Sequence, residues 1–368
     1  MATLIVKVTE KCNSNCYYCD VVYKKNTGGS MSIPLLEMVF KRINEYLELR
    51  REENIVFIWH GGEPLMAGLD FYRKAVEFQE KICHSTKHRI RHSIQTNLTL
   101  MDDDFASALK KLGMNNIGSS YDPEPHMRGP GSAIDSDTYN KKFINGMSVL
   151  QKHGMGLGII YVVTKKSLMN PLDIYYFLSN LMIPGGFNMN PVLIYDEERK
   201  EVSVTPDEYV DFLGTIFPVW WKTRKRYPTI EPFRSLVDTI VDNNISLGCV
   251  ESGNCTYDHV NIAPDGGTSQ CGRSADWGLL DYGNIAEKTL ESIIRDAKRD
   301  ELEERQAVLH DGECFGCRLW NICHGGCPLD AYSKHKSFMH KSEWCYSRKG
   351  FIEKYFEPVT GVTFEPRN

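Results

Sequence analysis

Between residue 3 and about residue 227, short apolar runs alternate with longer segments whose apolar residues recur at helical spacing. This alternation restricts the fold more than any other feature. The apolar runs are TLIVKV, NIVFIW, RHSIQT, NNIGSS, LGIIYVV and FNMNPVLIY; segments such as IPLLEMVFKRINEYLELR, DFYRKAVEFQEKIC and DTYNKKFINGMSVLQKHG lie between them. Six strand–helix repeats of this kind predict an α/β fold with a parallel sheet and helices outside. Six is fewer than the eight repeats of a closed barrel, so a partial (β/α)6 TIM-type barrel is expected.

After a last helical pattern, TPDEYVDFLGTIFPVWWKTRKR, the rhythm stops. From about residue 245 to 345 the chain is rich in Cys and Gly, and only TLESIIRDAKRDELEERQAV reads as helix. Such a region leans on metal where a hydrophobic core is too small. A boundary near residue 235 divides the 368 residues into a barrel, 1–235, and a small cysteine-rich domain with a C-terminal tail, 236–368.

The net charge of −5 argues against a nucleic-acid binder. The basic runs KHRIRH (87–92) and KTRKR (222–226) read as solvated faces. The second follows Trp220 and Trp221, which leaves open a grip on an acidic peptide. No stretch approaches the ~20 apolar residues of a membrane helix. Residues 1–6 are too short for a secretory signal, and Lys7 interrupts them. A cytoplasmic location is therefore expected, where the 12 cysteines stay reduced and serve metals rather than disulfides.

Three of those cysteines crowd into KCNSNCYYC, at Cys12, Cys16 and Cys19. A helix with small buried residues on one face would explain the spacing, but NSN and YY are poor helix interior. Zinc with a fourth ligand from elsewhere is a second reading. An iron–sulfur cluster held by a loop after the first strand is the third, because these intervals reach at most ~14 Å and ~11 Å. C-x3-C-x-aromatic-C, with Tyr18 as the aromatic, resembles the radical SAM family. The resemblance implies a [4Fe–4S] cluster with three cysteine ligands and one iron left for S-adenosylmethionine, whose reductive cleavage gives a 5′-deoxyadenosyl radical. WHGGEPL is similar to the family's GGEP motif and nominates Gly61, Gly62 and Glu63 as cofactor contacts. By position, Gln95, Asn97, Ser120 and Arg128, with Tyr18, resemble residues that touch S-adenosylmethionine. Ser120-Tyr121-Asp122-Pro123 departs from the more frequent SLDG.

Cys314, Cys317, Cys323 and Cys327 follow C-x2-C-x5-C-x3-C, preceded by Cys249, Cys255 and Cys271 and followed by Cys345. This resembles the SPASM extension, which implies two further, fully ligated [4Fe–4S] clusters. One would take Cys249, Cys255, Cys271 and Cys327; the other would take Cys314, Cys317, Cys323 and Cys345. Zinc sites are the alternative for the C-x2-C pairs. Cys83 reads as a small buried hydrophobe.

The resemblance points to peptide chemistry. The expected function is a maturase that oxidatively forms a thioether or carbon–carbon crosslink in a ribosomally made precursor peptide. Anaerobic sulfatase maturases, which make formylglycine, are the alternative, and a SPASM dehydrogenase of a small molecule is another. A non-catalytic iron–sulfur electron carrier would leave the three-cysteine loop and the repeats unexplained. Sulfatase maturases carry an aspartate directly after the cysteine matching Cys271, where this chain has Gly272; Asp258, His259 and Asp276 are nearby candidates for a base. Expected partners are the peptide and an electron donor such as flavodoxin or ferredoxin. Because the first strand begins almost at residue 3, leader recognition is expected to use a separate protein or the barrel surface.

Overall fold

The structure is a computed structural model. It describes all residues except 20–27, 132–134, 195–196, 228, 254, 256–258 and 366–368, with the backbone alone at 197–199. Six strands, each followed by a helix, carry the α/β fold of a partial (β/α)6 TIM-type barrel, and a cysteine-rich region follows. The strands are β1 (Ala2–Thr9), β2 (Ile55–Gly61), β3 (Ile90–Thr96), β4 (Asn116–Ser120), β5 (Gly156–Val163) and β6 (Phe187–Pro191). Their helices are α1 (Ile33–Leu49), α2 (Leu69–Ile82), α3 (Asp103–Lys111), α4 (Ser136–Lys152), α5 (Pro171–Asn180) and α6 (Pro206–Thr223).

The helices start where the sequence supplies caps. The side chains of Ser32, Asp102, Asp135 and Thr205 accept the first free N–H groups of α1, α3, α4 and α6. Thr205 and Glu208 close a reciprocal capping box. On α1 the stripe Leu36, Val39, Phe40, Ile43 and Leu47 is buried, as its spacing requires. In β1 the even positions are buried, while Thr3, Ile5 and Lys7 share a half-buried face.

Packing divides the chain into two compact units. The first comprises Met1–Gly158 and Tyr257–Arg299; the second comprises Ile159–Thr256 and Asp300–Asn368. This cut by contact differs from the cut by sequence character near residue 235, which falls within the helix Phe233–Ile240.

In the first unit, β1, β2, β3 and β4 pair in parallel and in chain order. Three strands from the cysteine-rich half extend the other edge of β1: β7 (His259–Ile262) is parallel to β1, and β8 (Gly267–Ser269) and β9 (Asp281–Asn284) follow antiparallel. These strands are too short and polar to be visible as period-two patterns. The expected single helix over TLESIIRDAKRDELEERQAV is broken into Leu290–Ile294, a 3-10 turn at Ala297–Arg299, and α7 (Asp300–Asp311). Phe57, Trp59, Phe40 and His92 form an aromatic core, with Phe57 and Trp59 centroids 4.3 Å apart.

In the second unit β5 pairs in parallel with β6, and Ile230–Glu231 adds to β6. Phe217 centres its core, 5.1 Å from Phe233 and 5.3 Å from both Phe351 and Phe356. Truncating such a buried ring costs about 3–5 kcal/mol.

Candidate functional site

The chain leaves the end of β1 directly into the three-cysteine loop. Cys16 lies in a short strand, Ser14–Cys16, paired antiparallel with Arg128–Pro130 so that Cys16 faces Arg128. Burial pushes the Cys12 thiol up to about 11 and the Cys16 thiol to about 12; the Arg128 guanidinium opposes both shifts. The Ser14 N–H donates to Cys12 Sγ at 3.4 Å, and Arg128 Nη1 lies 3.9 Å from Cys16 Sγ. The neighbouring sulfurs further disfavour ionisation of Cys12 and Cys16. Two thiols that burial holds protonated away from a strong positive charge fit a site for a metal cluster.

Gly61 and Gly62 bring the end of β2 against this loop. The Gly62 N–H donates to Thr9 O at 2.8 Å and the Glu63 N–H to Lys11 O at 2.8 Å. A Cβ on Gly61, whose φ is +142°, would sit 2.0 Å from Thr9 O; one on Gly62 would sit 2.4 Å from Lys11 O. Only glycine permits that approach. The GGEP turn therefore clamps the backbone just before Cys12. Glu63, fully buried, accepts from Leu65 N (2.9 Å), Thr96 Oγ1 (2.7 Å) and Asn97 N (2.7 Å). Burial nevertheless raises its carboxyl to about 7.

The other expected contacts gather at the carboxyl ends of β3 and β4. Asn97 Nδ2 donates to Asn13 Oδ1 at 2.9 Å and Ser14 Oγ at 3.0 Å, tying the end of β3 to the cysteine loop. Gln95 Nε2 donates to Ser120 Oγ at 3.1 Å. Arg128 is buried and paired with Asp122 at 2.5 Å, and Tyr18 donates to the same carboxylate at 2.6 Å and accepts from Arg128. This pair underpins Cys16.

A second polar group forms on the half-buried face of β1 and β2. Lys7 and His60 are register partners. Lys7 Nζ binds Asp276 Oδ1 at 3.0 Å and Gly272 O at 3.4 Å. Asp276 ends the short helix Gly272–Asp276, which begins directly after Cys271. His60 Nδ1 accepts the Gly61 N–H at 2.8 Å, and burial, aided by Lys7, pulls the imidazole down to about 4. His60 is therefore neutral near pH 7, with its proton on Nε2. Among the candidate bases, Asp276 joins this group. His259 pairs with Thr3, four positions back along β1 from Lys7, ~13 Å at the usual rise. Asp258 lies outside the described residues. Sequence reading missed Lys7 and His60; a lysine inside an otherwise uncharged strand was the available signal.

In the second unit, Cys314, Cys317, Cys323 and Cys345 line one cavity. Cys249 and Cys255 line another, together with Arg305, Gly326 and Pro328, the last two flanking Cys327. Cys271 belongs to the first unit. Left-handed backbone at His324, Gly325 and Gly326 (φ +50°, +77° and +72°) turns the chain between Cys323 and Cys327. Cys345 is held down to about 7 by a hydrogen bond from the Cys323 thiol, which is pushed up in turn. Among the described residues, no three His, Cys, Asp or Glu side chains close to single-ion distance. Four thiols lining one cavity supply the ligand number of an iron–sulfur cluster. Cys83 is buried, as expected.

Comparison with known proteins agrees with this geometry. The family model of the Radical SAM superfamily matches residues 6–123. A cysteine-type anaerobic sulfatase-maturating enzyme of Clostridium novyi is 28% identical over 384 residues, covering 98% of this chain and 97% of its own. The structure of native anSMEcpe with bound AdoMet and the Cp18Cys peptide superposes with a TM-score of 0.84 at 26% identity, covering 98% of both chains. Streptococcus suis SuiB bound to precursor peptide SuiA shares the fold, with a TM-score of 0.61 at 17% identity over 93% of this chain and 75% of its own. Residues 6–123, from β1 to just past the end of β4, therefore form a radical SAM domain.

Proposed function

We propose that this chain is a peptide-modifying radical maturase of the anaerobic sulfatase-maturating type, oxidising a Cys or Ser side chain of a protein substrate to formylglycine. The end-to-end likeness to anSMEcpe, solved with AdoMet and a cysteine peptide, carries this reading. It stands in place of the crosslinking maturase expected from the sequence, and Gly272 is the one observation that still favours the crosslinker.

Cys12, Cys16 and Cys19 would hold the cluster that binds S-adenosylmethionine, with Tyr18, Gly61, Gly62, Glu63, Gln95, Asn97, Ser120 and Arg128 shaping its surroundings. Cys249, Cys255, Cys271 and Cys327 would hold one auxiliary cluster, and Cys314, Cys317, Cys323 and Cys345 the other. When bound and reduced, S-adenosylmethionine would supply the hydrogen-abstracting radical. The chain's own residues must do the rest. To become a thioaldehyde or aldehyde, the substrate would lose a hydrogen atom from Cβ to the 5′-deoxyadenosyl radical, the proton of its thiol or hydroxyl, and an electron for which an auxiliary cluster would be the acceptor. Water would then hydrolyse the thioaldehyde to the aldehyde and release hydrogen sulfide. Asp276, paired with Lys7 and one helical turn from Gly272, would accept the thiol or hydroxyl proton. The neutral His60 would donate from Nε2 to an approaching polar group. An external donor of the flavodoxin or ferredoxin class would reduce the clusters in the cytoplasm.

The test is anaerobic incubation of reconstituted protein with S-adenosylmethionine, a reductant and a cysteine-containing sulfatase peptide, read by hydrazide capture of aldehyde. Aldehyde on the cysteine is expected. Production of 5′-deoxyadenosine with an intramolecular crosslink and no aldehyde would sink this reading in favour of the crosslinker.

A further inference from the structure

Arg305 stands where the pattern of α7 calls for an apolar residue. With Leu302 and Leu309 it makes the buried stripe of that helix, and it is 1% exposed. Its guanidinium donates to four main-chain carbonyls: Nε to Phe338 O at 2.7 Å, Nη1 to His324 O at 3.4 Å, and Nη2 to Gly325 O at 3.1 Å and His340 O at 2.9 Å. Among the described residues no carboxylate pairs with it. A buried cation without a counter-ion is costly, and neutral carbonyls repay only part of that cost.

The anions it lacks have an evident place. Arg305 lines the cavity of Cys249 and Cys255. Gly325, whose carbonyl it binds, lines the cavity of Cys314, Cys317, Cys323 and Cys345. Burial pulls the guanidinium's pKa down, and the sulfurs of Cys327, Cys255, Cys314 and Cys323 oppose that pull. The cation thus stands between two groups of thiols assigned to different clusters.

We propose that Arg305 is the shared counter-charge of the two auxiliary clusters and raises the reduction potential of both. Each cluster with its four thiolates is anionic and gains a further negative charge on reduction, so a fixed cation nearby favours the reduced form. The inference rests on the cluster assignment made above and does not depend on which peptide is oxidised. A purely structural role, tying the 324–325 turn to residues 338–340, would leave the potentials alone.

The test is a redox titration followed by electron paramagnetic resonance. Full-length reconstituted protein carries Cys12→Ala, Cys16→Ala and Cys19→Ala, so that only the auxiliary clusters report; Arg305→Gln and Arg305→Lys are compared in this background. For Arg305→Gln with iron retained, the reduced-to-oxidised ratio of both clusters should fall about tenfold at fixed potential, a shift of about 59 mV for a one-electron couple. Arg305→Lys should stay near the native value. Unchanged potentials in Arg305→Gln would overturn the proposal, and so would equal shifts in both variants, which would assign the effect to the hydrogen-bond fork. If Arg305→Gln loses iron, retention of iron and native potentials in Arg305→Lys supports the charge role; loss in both overturns it. Native protein holding no auxiliary iron would instead defeat the cluster assignment.

Discussion

Lys7 Nζ and Asp276 Oδ1 form an ion pair at 3.0 Å across 269 residues of sequence, and the same ammonium reaches the carbonyl of Gly272 at 3.4 Å. The pair joins the end of the first barrel strand to the short helix that opens after Cys271. It sets a carboxylate one turn beyond the position where sulfatase maturases carry theirs.

Replacing Asp276 with Asn should therefore separate radical formation from product. A positioned general base contributes about 10²–10⁴-fold, and Asp276→Asn should lose aldehyde by that order while 5′-deoxyadenosine continues to form. Chromatographic quantitation of both products checks this. Parallel losses of the two would assign Asp276 a structural role.

Arg128 and Asp122 are a buried pair, with side chains 6% and 0% exposed. Arg128→Met should destabilise the protein by about 3–5 kcal/mol, because Asp122 is left buried and uncompensated. Adding Asp122→Leu should recover much of the loss. Urea melts of the metal-free single and double variants measure both effects.

Glu63 offers both carboxylate oxygens to donors, including the Asn97 N–H on Oε2. Glu63→Gln would turn an amide N–H toward one of those donors. It should cost about 1–3 kcal/mol, the usual penalty for a buried unsatisfied group, and should loosen the turn that clamps Thr9 and Lys11. Denaturation of the metal-free protein reads this without reference to activity.

The buried histidines set an acid limit. Burial, aided by Lys7 in the first case, holds His60 down to about 4; burial holds His92 down to about 3. An unfolded histidine titrates near 6.5, so between those values the unfolded state binds more protons and stability rises with pH. The contribution is present above about 6.5 and lost as pH falls toward 4. Glu63, raised to about 7, acts oppositely, its contribution fading as pH rises through that value. Urea midpoints should fall below pH 6.5, with a shallower fall in His92→Gln.

The repeating part of the fold was legible because strand and helix periods alternate over whole elements, from TLIVKV to FNMNPVLIY. The cluster cysteines were legible because their spacing is local. Lys7, His60 and Asp276 were not, since their meeting depends on strand register and on a distant helix. Arg305 was hidden for another reason: within DELEERQAV it reads as one more solvated charge, and only the fold turns that position inward. Strands β7 to β9 escaped because His259–Ile262 and its neighbours are three or four residues long and take their order from β1.

The most direct test of the account is electron paramagnetic resonance of the reduced, iron-loaded protein with and without S-adenosylmethionine. Added cofactor should change one cluster signal, and that signal should be absent from Cys16→Ala while the auxiliary signals remain. A spectrum indifferent to S-adenosylmethionine in protein that holds its full iron would contradict the account.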